Sequence, residues 1–496
     1  MPDLDTLRRT LCATPLMLAL GALCQGGCGQ AAPDRPDVLL VSVDTLRADH
    51  VGSYGHRLDT TPNLDRLAAS GVRFDDATVQ SPKTWPSMAS MLTSTYPATN
   101  GIRIRPRRPL PASSLTLAEM LREAGYRTGA VVANVSLGRE FAFDQGFDVF
   151  VESWIEELVR QSGRRTFENA PGRVKRYTNA TLVTDQGIGL LDELSGDPTR
   201  PFFLWLHYID PHGPYVPPRG YEALFTDAYP REPVPLDRIP VFQRQPDPKT
   251  GASSQDVGFY KAQYDREIRY WDDELERLLE SVDARGLRER TLIVVTADHG
   301  ESLGEHDHFF RHGPVPYQTN ARVPLVLRLP GRLPSGRVVE TPVGLIDLAP
   351  TILELLGIEA PESVQGTSLL PLAFGEEASR PPVFMESGRR EPWQLSVRRG
   401  KWKLVHLPAS EDRTWLKRRE VELYDIARDP GETNDVADLY PDVVRDLRLR
   451  LDEWLRATPE YRGRERTPLD SLDPRTREML EALGYVDEPA PEARER

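Results

Sequence analysis

Residues 37–43 read DVLLVSV and run directly into DTLR at 44–47. Five of these seven residues are Val or Leu, and no apolar/polar alternation interrupts them. That is the texture of a strand buried on both faces, as in a parallel sheet covered by helices. The run stops at Asp44, which puts a carboxylate at the carboxyl end of the strand. The same arrangement recurs downstream. Phe202–Leu206 (FFLWL) leads into His207, Asp210 and His212, and Thr291–Thr296 (TLIVVT) leads into Ala297-Asp298-His299-Gly300-Glu301. Thr128–Val132 and Val323–Leu329 are further strands of this kind. Helical spacing lies between them at Pro62–Ser70, Thr116–Ala124, Asn179–Leu194, Gln255–Ala284 and Ile346–Leu356. The expected fold is α/β, a large mixed sheet sandwiched by helices.

Beyond about residue 380 the texture changes. Ser396–Leu407 and Arg419–Tyr424 read as strands of a smaller antiparallel sheet, Pro441–Ala457 as an amphipathic helix, and Asp473–Leu483 as a short helix in a charged tail. The expected organisation is a leader over 1–30, a catalytic α/β domain over 36–385, a small C-terminal sheet-plus-helix subdomain over 386–460, and a tail over 461–496. Gly213–Ser254 holds many of the 44 prolines and little periodicity, and reads as a surface excursion that can act as a lid.

The 496 residues suffice for a large core. A net charge of −13 argues against a nucleic-acid partner held by a general basic field, so an anionic substrate needs a local positive site. Arg8 and Arg9 precede an apolar run, Leu11 to Leu23, too short to span a bilayer, and Gly26-Gly27-Cys28 follows. This is the layout of a secretory signal. Export to the periplasm or outer surface is expected, with Cys28 as a point of lipid attachment to a membrane, against which Gln25 counts. All three cysteines lie in this leader, which leaves the rest of the chain without a disulfide or a thiol nucleophile.

The stretch SPKTWPSMASMLTS (81–94) places Pro86 and Ser87 at a helix start, with Thr84 just ahead of it. Thr84 is then either an N-cap or a nucleophile facing an anion at the helix N-terminus. Asp44, the Asp210/His212 pair and Asp298-His299 all follow strand ends, where open α/β sheets form their ligand crevice. Asp, Asp and His suit a divalent cation.

Eight segments in order carry a family resemblance: LLVSVDTLRADHVGSYG, TWPSMASMLTSTYP, PFFLWLHYIDPHGPY, YDREIRYWDDELERLL, TADHGESLGEH, RVPLVLRLPG, LIDLAPTILELLGI and VELYDIARDPGETND. The chain resembles the sulfatase family of the alkaline phosphatase superfamily. The resemblance implies metal ligation by Asp44, Asp298 and His299, a nucleophile at Thr84, and a general acid at His212. It also implies substrate contacts from His312, His207 and Asn134. Sulfatases carry C-x-P-S-R or S-x-P-S-R, whose first residue becomes formylglycine. Thr84 cannot become that aldehyde, the following Arg is Met88, and Asn134 stands where a Lys/His clamp is usual.

A Thr at a metal resembles instead the phosphodiesterases and phospho-transferases of the superfamily. His299, where most sulfatases have Asn, favours Mn²⁺ or Zn²⁺ over Ca²⁺ or Mg²⁺. Asp210, His212 and His312 form an alternative set for a second metal. The expected activity is hydrolysis of a small anionic ester, favoured on phosphodiesters or phosphonates. Sulfate ester hydrolysis without formylglycine, transfer of a phospho group to a lipid or glycan, and a non-catalytic binding protein are the alternatives.

Overall fold

The computed structural model describes residues 35–103, 108–153, 178–247, 250–376, 379–388, 393–408, 419–463 and 472–482. The leader with Cys28 lies outside the described residues. Among the described residues no helix is long and apolar enough to cross a membrane.

Among the described residues eight strands form the main sheet, in the order Arg337–Val339, Val72–Phe74, Leu325–Arg328, Thr291–Ala297, Asp37–Val43, Phe202–Tyr208, Arg127–Val132 and Val149–Glu152. The last five run parallel to one another. Leu325–Arg328 lies antiparallel to Thr291–Ala297, which makes the sheet mixed. Asp37–Val43 lies within the parallel block, between Thr291–Ala297 and Phe202–Tyr208, and is buried throughout. Helices Ala180–Ser195 and Val257–Ala284 pack on each other, the first of them also over Arg127–Val132 and Phe202–Tyr208. Tyr260, Tyr264, Ile268, Trp271, Leu275 and Leu278 of the long helix form the buried stripe that the spacing predicts.

The single strand expected over 323–329 is divided. Arg322–Val323 pairs with Ala77–Thr78 in a separate three-stranded sheet, while Leu325–Arg328 joins the main one. Pro324 stands between them, with no N–H to offer a ladder. Its carbonyl accepts from Thr296 Oγ1 at 2.8 Å. The helix expected to start at Pro86 begins instead at Thr84 and runs to Thr93. Pro86 is accommodated because the first turn has no intrahelical use for its missing N–H.

The second region is a four-stranded antiparallel sheet, Val383–Ser387, Gln394–Arg399, Trp402–His406 and Val421–Asp425. The stretch expected as one strand over 396–407 is a hairpin that turns at Gly400, whose φ is +55°. Helix Pro441–Ala457 covers this sheet with Leu447, Leu451 and Trp454. A buried ion pair, Arg398 Nη2 to Asp76 Oδ2 at 2.6 Å, ties it to the main body. Removing one partner leaves a buried charge alone, so Asp76→Ala should cost about 3–5 kcal/mol in urea unfolding.

The Pro-rich excursion folds back on its own start at Tyr215. Gln243 Oε1 accepts from Tyr215 N at 3.2 Å and Gln245 Nε2 donates to Tyr215 O at 2.8 Å, with both glutamines buried.

Candidate active site

The register of the parallel block creates the site. Val43 lies beside Ala297 on one side and Tyr208 on the other. The ladder continues past the strands, with Asp44 N donating to Tyr208 O (2.9 Å) and Asp298 N to Val43 O (3.2 Å). Asp44 and Asp298 therefore emerge side by side from adjacent strands, and both are fully buried. Thr45 follows in the left-handed region, φ +59°, an unfavourable conformation for a β-branched residue and of the kind found at functional sites. It is held by its N–H donating to Asp298 Oδ1 (3.0 Å) and its carbonyl accepting from Tyr264 OH (2.6 Å).

His299 completes the group. One ligand atom each from Asp44, Asp298 and His299 lies within 4.8 Å of the others. His299 Nδ1–H donates to Gly300 O at 2.8 Å, which leaves the Nε2 lone pair facing inward. The Thr84 hydroxyl donates to that Nε2 at 3.1 Å. Helix Thr84–Thr93 is pinned there by Ser87 Oγ, which donates to Asp298 O at 2.5 Å. Gly300 is packed tightly, since an added Cβ would stand 2.1 Å from Thr319 O. Gly300→Ala should cost about 1–3 kcal/mol by denaturant titration and lower activity, because the carbonyl that orients His299 must shift.

Electrostatics favour a cation. Burial opposes the charge on Asp44, yet His212, a hydrogen bond with His207, and His299 hold its pKa well below the usual range. Burial, then the charge of Asp44, pushes Asp298 well above it. Burial, then His312, keeps His299 neutral. Two adjacent buried carboxylates, a neutral imidazole and an Asp44 Oδ1 with no hydrogen-bond partner among the described residues form a donor set that a divalent ion satisfies. The three residues fit the metal that their sequence pattern suggested.

The remaining predicted residues are distributed around this group. Asn134 Nδ2 donates to Asp44 Oδ2 at 2.6 Å, so it orients that carboxylate. It reaches the site because Ala133 N continues the ladder onto His207 O. His207 Nε2 lies 3.6 Å from Asp44 Oδ2, with Nδ1 against Ser42 Oγ at 2.9 Å. His312 packs on His299, ring centroids 4.3 Å apart, and on His212 at 5.2 Å. His212 Nδ1–H donates to Gly213 O at 2.8 Å.

Asp210 differs from expectation. Its Oδ2 accepts from Ala180 N at 2.7 Å, at the N-terminus of helix Ala180–Ser195, where the first backbone N–H groups have no intrahelical partner. Asp210, His212 and His312 are not among the metal-capable groups of the described residues. The expected second-metal set is therefore not assembled.

Comparison with known proteins now identifies the family. The Sulfatase family model matches residues 36–358, about two thirds of the chain, and the model for the C-terminal region of N-sulphoglucosamine sulphohydrolase matches 304–457. The chain belongs to the sulfatase family. It is an ester hydrolase of that family. The N-acetylglucosamine-6-O-sulfatase of Bacteroides thetaiotaomicron is 25% identical over 85% of the chain and 86% of its own length. Arylsulfatase K of Bos taurus is 27% identical over 88% and 84%. The solved phosphonate monoester hydrolase of Silicibacter pomeroyi is 25% identical with a TM-score of 0.67, covering 85% of this chain and 96% of its own.

In this sulfatase-family chain sequence reasoning gave no role to Lys83 or Arg47, and it named Glu301 only as the end of the segment that carries Asp298 and His299. Lys83, directly before Thr84, runs so close over Gly313 that a Cβ there would stand 2.2 Å from its Cε. Burial, then His212 and also Lys83, pushes His312 down to about 3. A lone cation beside the candidate nucleophile in an uncharged stretch was the available signal. Arg47 is buried, donates to Glu301 O at 3.0 Å, and forks onto Asp49 and Glu305. Glu301 is buried beside His312 Nδ1 at 3.3 Å, and burial raises it to about 8.

Proposed function

We propose that this sulfatase-family hydrolase cleaves phosphodiesters or phosphonate esters, with Thr84 as its nucleophile. The observation that carries the reading is the Thr84 hydroxyl 3.1 Å from His299 Nε2, buried against the Asp44–Asp298–His299 group. A divalent ion held by Asp44, Asp298 and His299, Mn²⁺ or Zn²⁺ by the nitrogen donor, would lower the hydroxyl pKa and offset charge on the transferring group. Thr84 Oγ1, its proton released to solvent, forms a bond to phosphorus as the bond to the leaving oxygen breaks, and it takes a proton back from solvent when it departs. His212 delivers a proton to that oxygen. It then takes a proton from the water that attacks phosphorus and frees Thr84. His312 and Lys83 hold the non-bridging oxygens. Asn134 and His207 keep Asp44 oriented.

Two observations support phosphorus over sulfur: the Thr in place of a formylglycine precursor, and the likeness to a phosphonate monoester hydrolase. The sulfatase names of the curated relatives favour sulfate ester cleavage as the second reading. The test is a parallel assay of aryl phosphate mono- and diesters, an aryl phosphonate and an aryl sulfate with Mn²⁺, Zn²⁺ and Ca²⁺. A phosphonate or diester rate highest with Mn²⁺ or Zn²⁺ is expected, and turnover of aryl sulfate alone overturns the assignment. The leader over 1–30 supports export.

A further inference from the structure

A second group of metal-capable side chains lies apart from the Thr84 site. It consists of His50, His56 and Asp265, each offering a ligand atom within 4.8 Å of the others. His50 ends the turn Ala48–His50 and His56 follows the turn at Gly55, whereas Asp265 comes from the long helix Val257–Ala284. His50 Nδ1 meets Asp265 Oδ1 at 2.6 Å, and His56 Nε2 lies 3.4 Å from Asp265 Oδ2. The two imidazoles stack with centroids 4.8 Å apart. Tyr229, from the Pro-rich excursion, adds its hydroxyl on Asp265 Oδ2.

The side chains of His50 and His56 are each 8% exposed and that of Asp265 is fully buried. His56 Nε2 faces the carboxylate but at 3.4 Å makes only a long contact with it, short of good hydrogen-bond geometry. A buried imidazole nitrogen held only by a long contact of 3.4 Å to a carboxylate is poorly satisfied, which is costly. Two imidazoles and one carboxylate, with a phenol oxygen alongside, match the nitrogen-and-oxygen set of zinc rather than the oxygen cage of calcium or magnesium.

We propose that His50, His56 and Asp265 bind a structural zinc-class ion, distinct from the one at Thr84. The ion clamps three segments remote in sequence: the loop after the first strand, the excursion and the long helix. It also braces the Thr84 site indirectly. Tyr264, next to Asp265, stands edge-on to His50 at 5.0 Å and donates its hydroxyl to Thr45 O, beside Asp44. Because such an ion binds only the assembled chain, its binding strengthens the fold.

The experiment uses the full chain carrying Asp298→Asn, which removes a ligand at the first site. After loading with zinc chloride and dialysis, this variant should keep about one equivalent of zinc, and adding His56→Gln should drop it to about a tenth or less. Zinc should raise the Tm of the Asp298→Asn chain by about 2–4 °C and leave the double variant unmoved. If the double variant does not fold, Co²⁺ in the Asp298→Asn chain alone decides. Visible absorption typical of a tetrahedral site, displaced by zinc, supports the proposal. No retained zinc, no Tm shift and no such absorption would make the group a plain His–Asp–His hydrogen-bond network and overturn it. Retention unchanged by His56→Gln would overturn it equally.

Discussion

Thr84→Ala should lower turnover by about 10³-fold or more on the best ester substrate, while the folded protein still binds its divalent ion. The hydroxyl is the group proposed to attack, and the Asp44–Asp298–His299 set that would hold the ion is left in place by the substitution. Thr84→Ser keeps the oxygen at the same place and should retain a rate within about tenfold. A phosphorus-containing adduct on Thr84, trapped by acid quench during turnover and located by mass spectrometry, would link the loss to covalent chemistry. Near-normal rates from the alanine variant would remove Thr84 from the mechanism. Ion content and the melting curve of each variant, measured alongside, separate lost chemistry from lost structure.

Asp298→Asn has the other large effect, and its sign depends on the ion. Asp298 lies beside Asp44 in a buried site, and burial together with that neighbouring charge raises its pKa well above the usual range. An acid raised on folding costs stability at every pH above its unfolded value near 4, and the cost grows as pH rises toward the folded value. A bound cation reverses this by neutralising both carboxylates. In EDTA at pH 7 the asparagine variant should therefore melt at or above the parent. With Mn²⁺ or Zn²⁺ at the Thr84 site the order should invert, and activity should fall by about 10³-fold or more. Calorimetry with and without chelator reads both halves. A parent whose melting temperature ignores added ion would contradict the cation reading.

The local residues told a good deal because local physics controls it. Uninterrupted apolar runs such as DVLLVSV can be satisfied only by burial on both faces, so the central strands were legible. So were the capped helices, Thr116 with its reciprocal Glu119 bond and Asn179 accepting from Leu182 N. Asp44, Asp298 and His299 could be singled out because each follows such a run directly, at the end of the sheet where crevices form. The hairpin at Gly400 and the break at Pro324 were missed, because each interrupts an otherwise continuous apolar pattern at one residue.

What the chain alone determined is the set of buried strands, the helices between them and the chemistry waiting at the strand ends. Only the tertiary structure decided which of those ends are neighbours. Strand order places residues 44 and 298 side by side, brings Asn134 onto Asp44, and draws Asp210 away to the start of Ala180–Ser195. It also gathers His50 and His56 around Asp265, more than 200 positions further along. The reason is physical: strand and helix formation answers to neighbours a few residues away, whereas a site answers to register and packing between segments that local pattern does not relate.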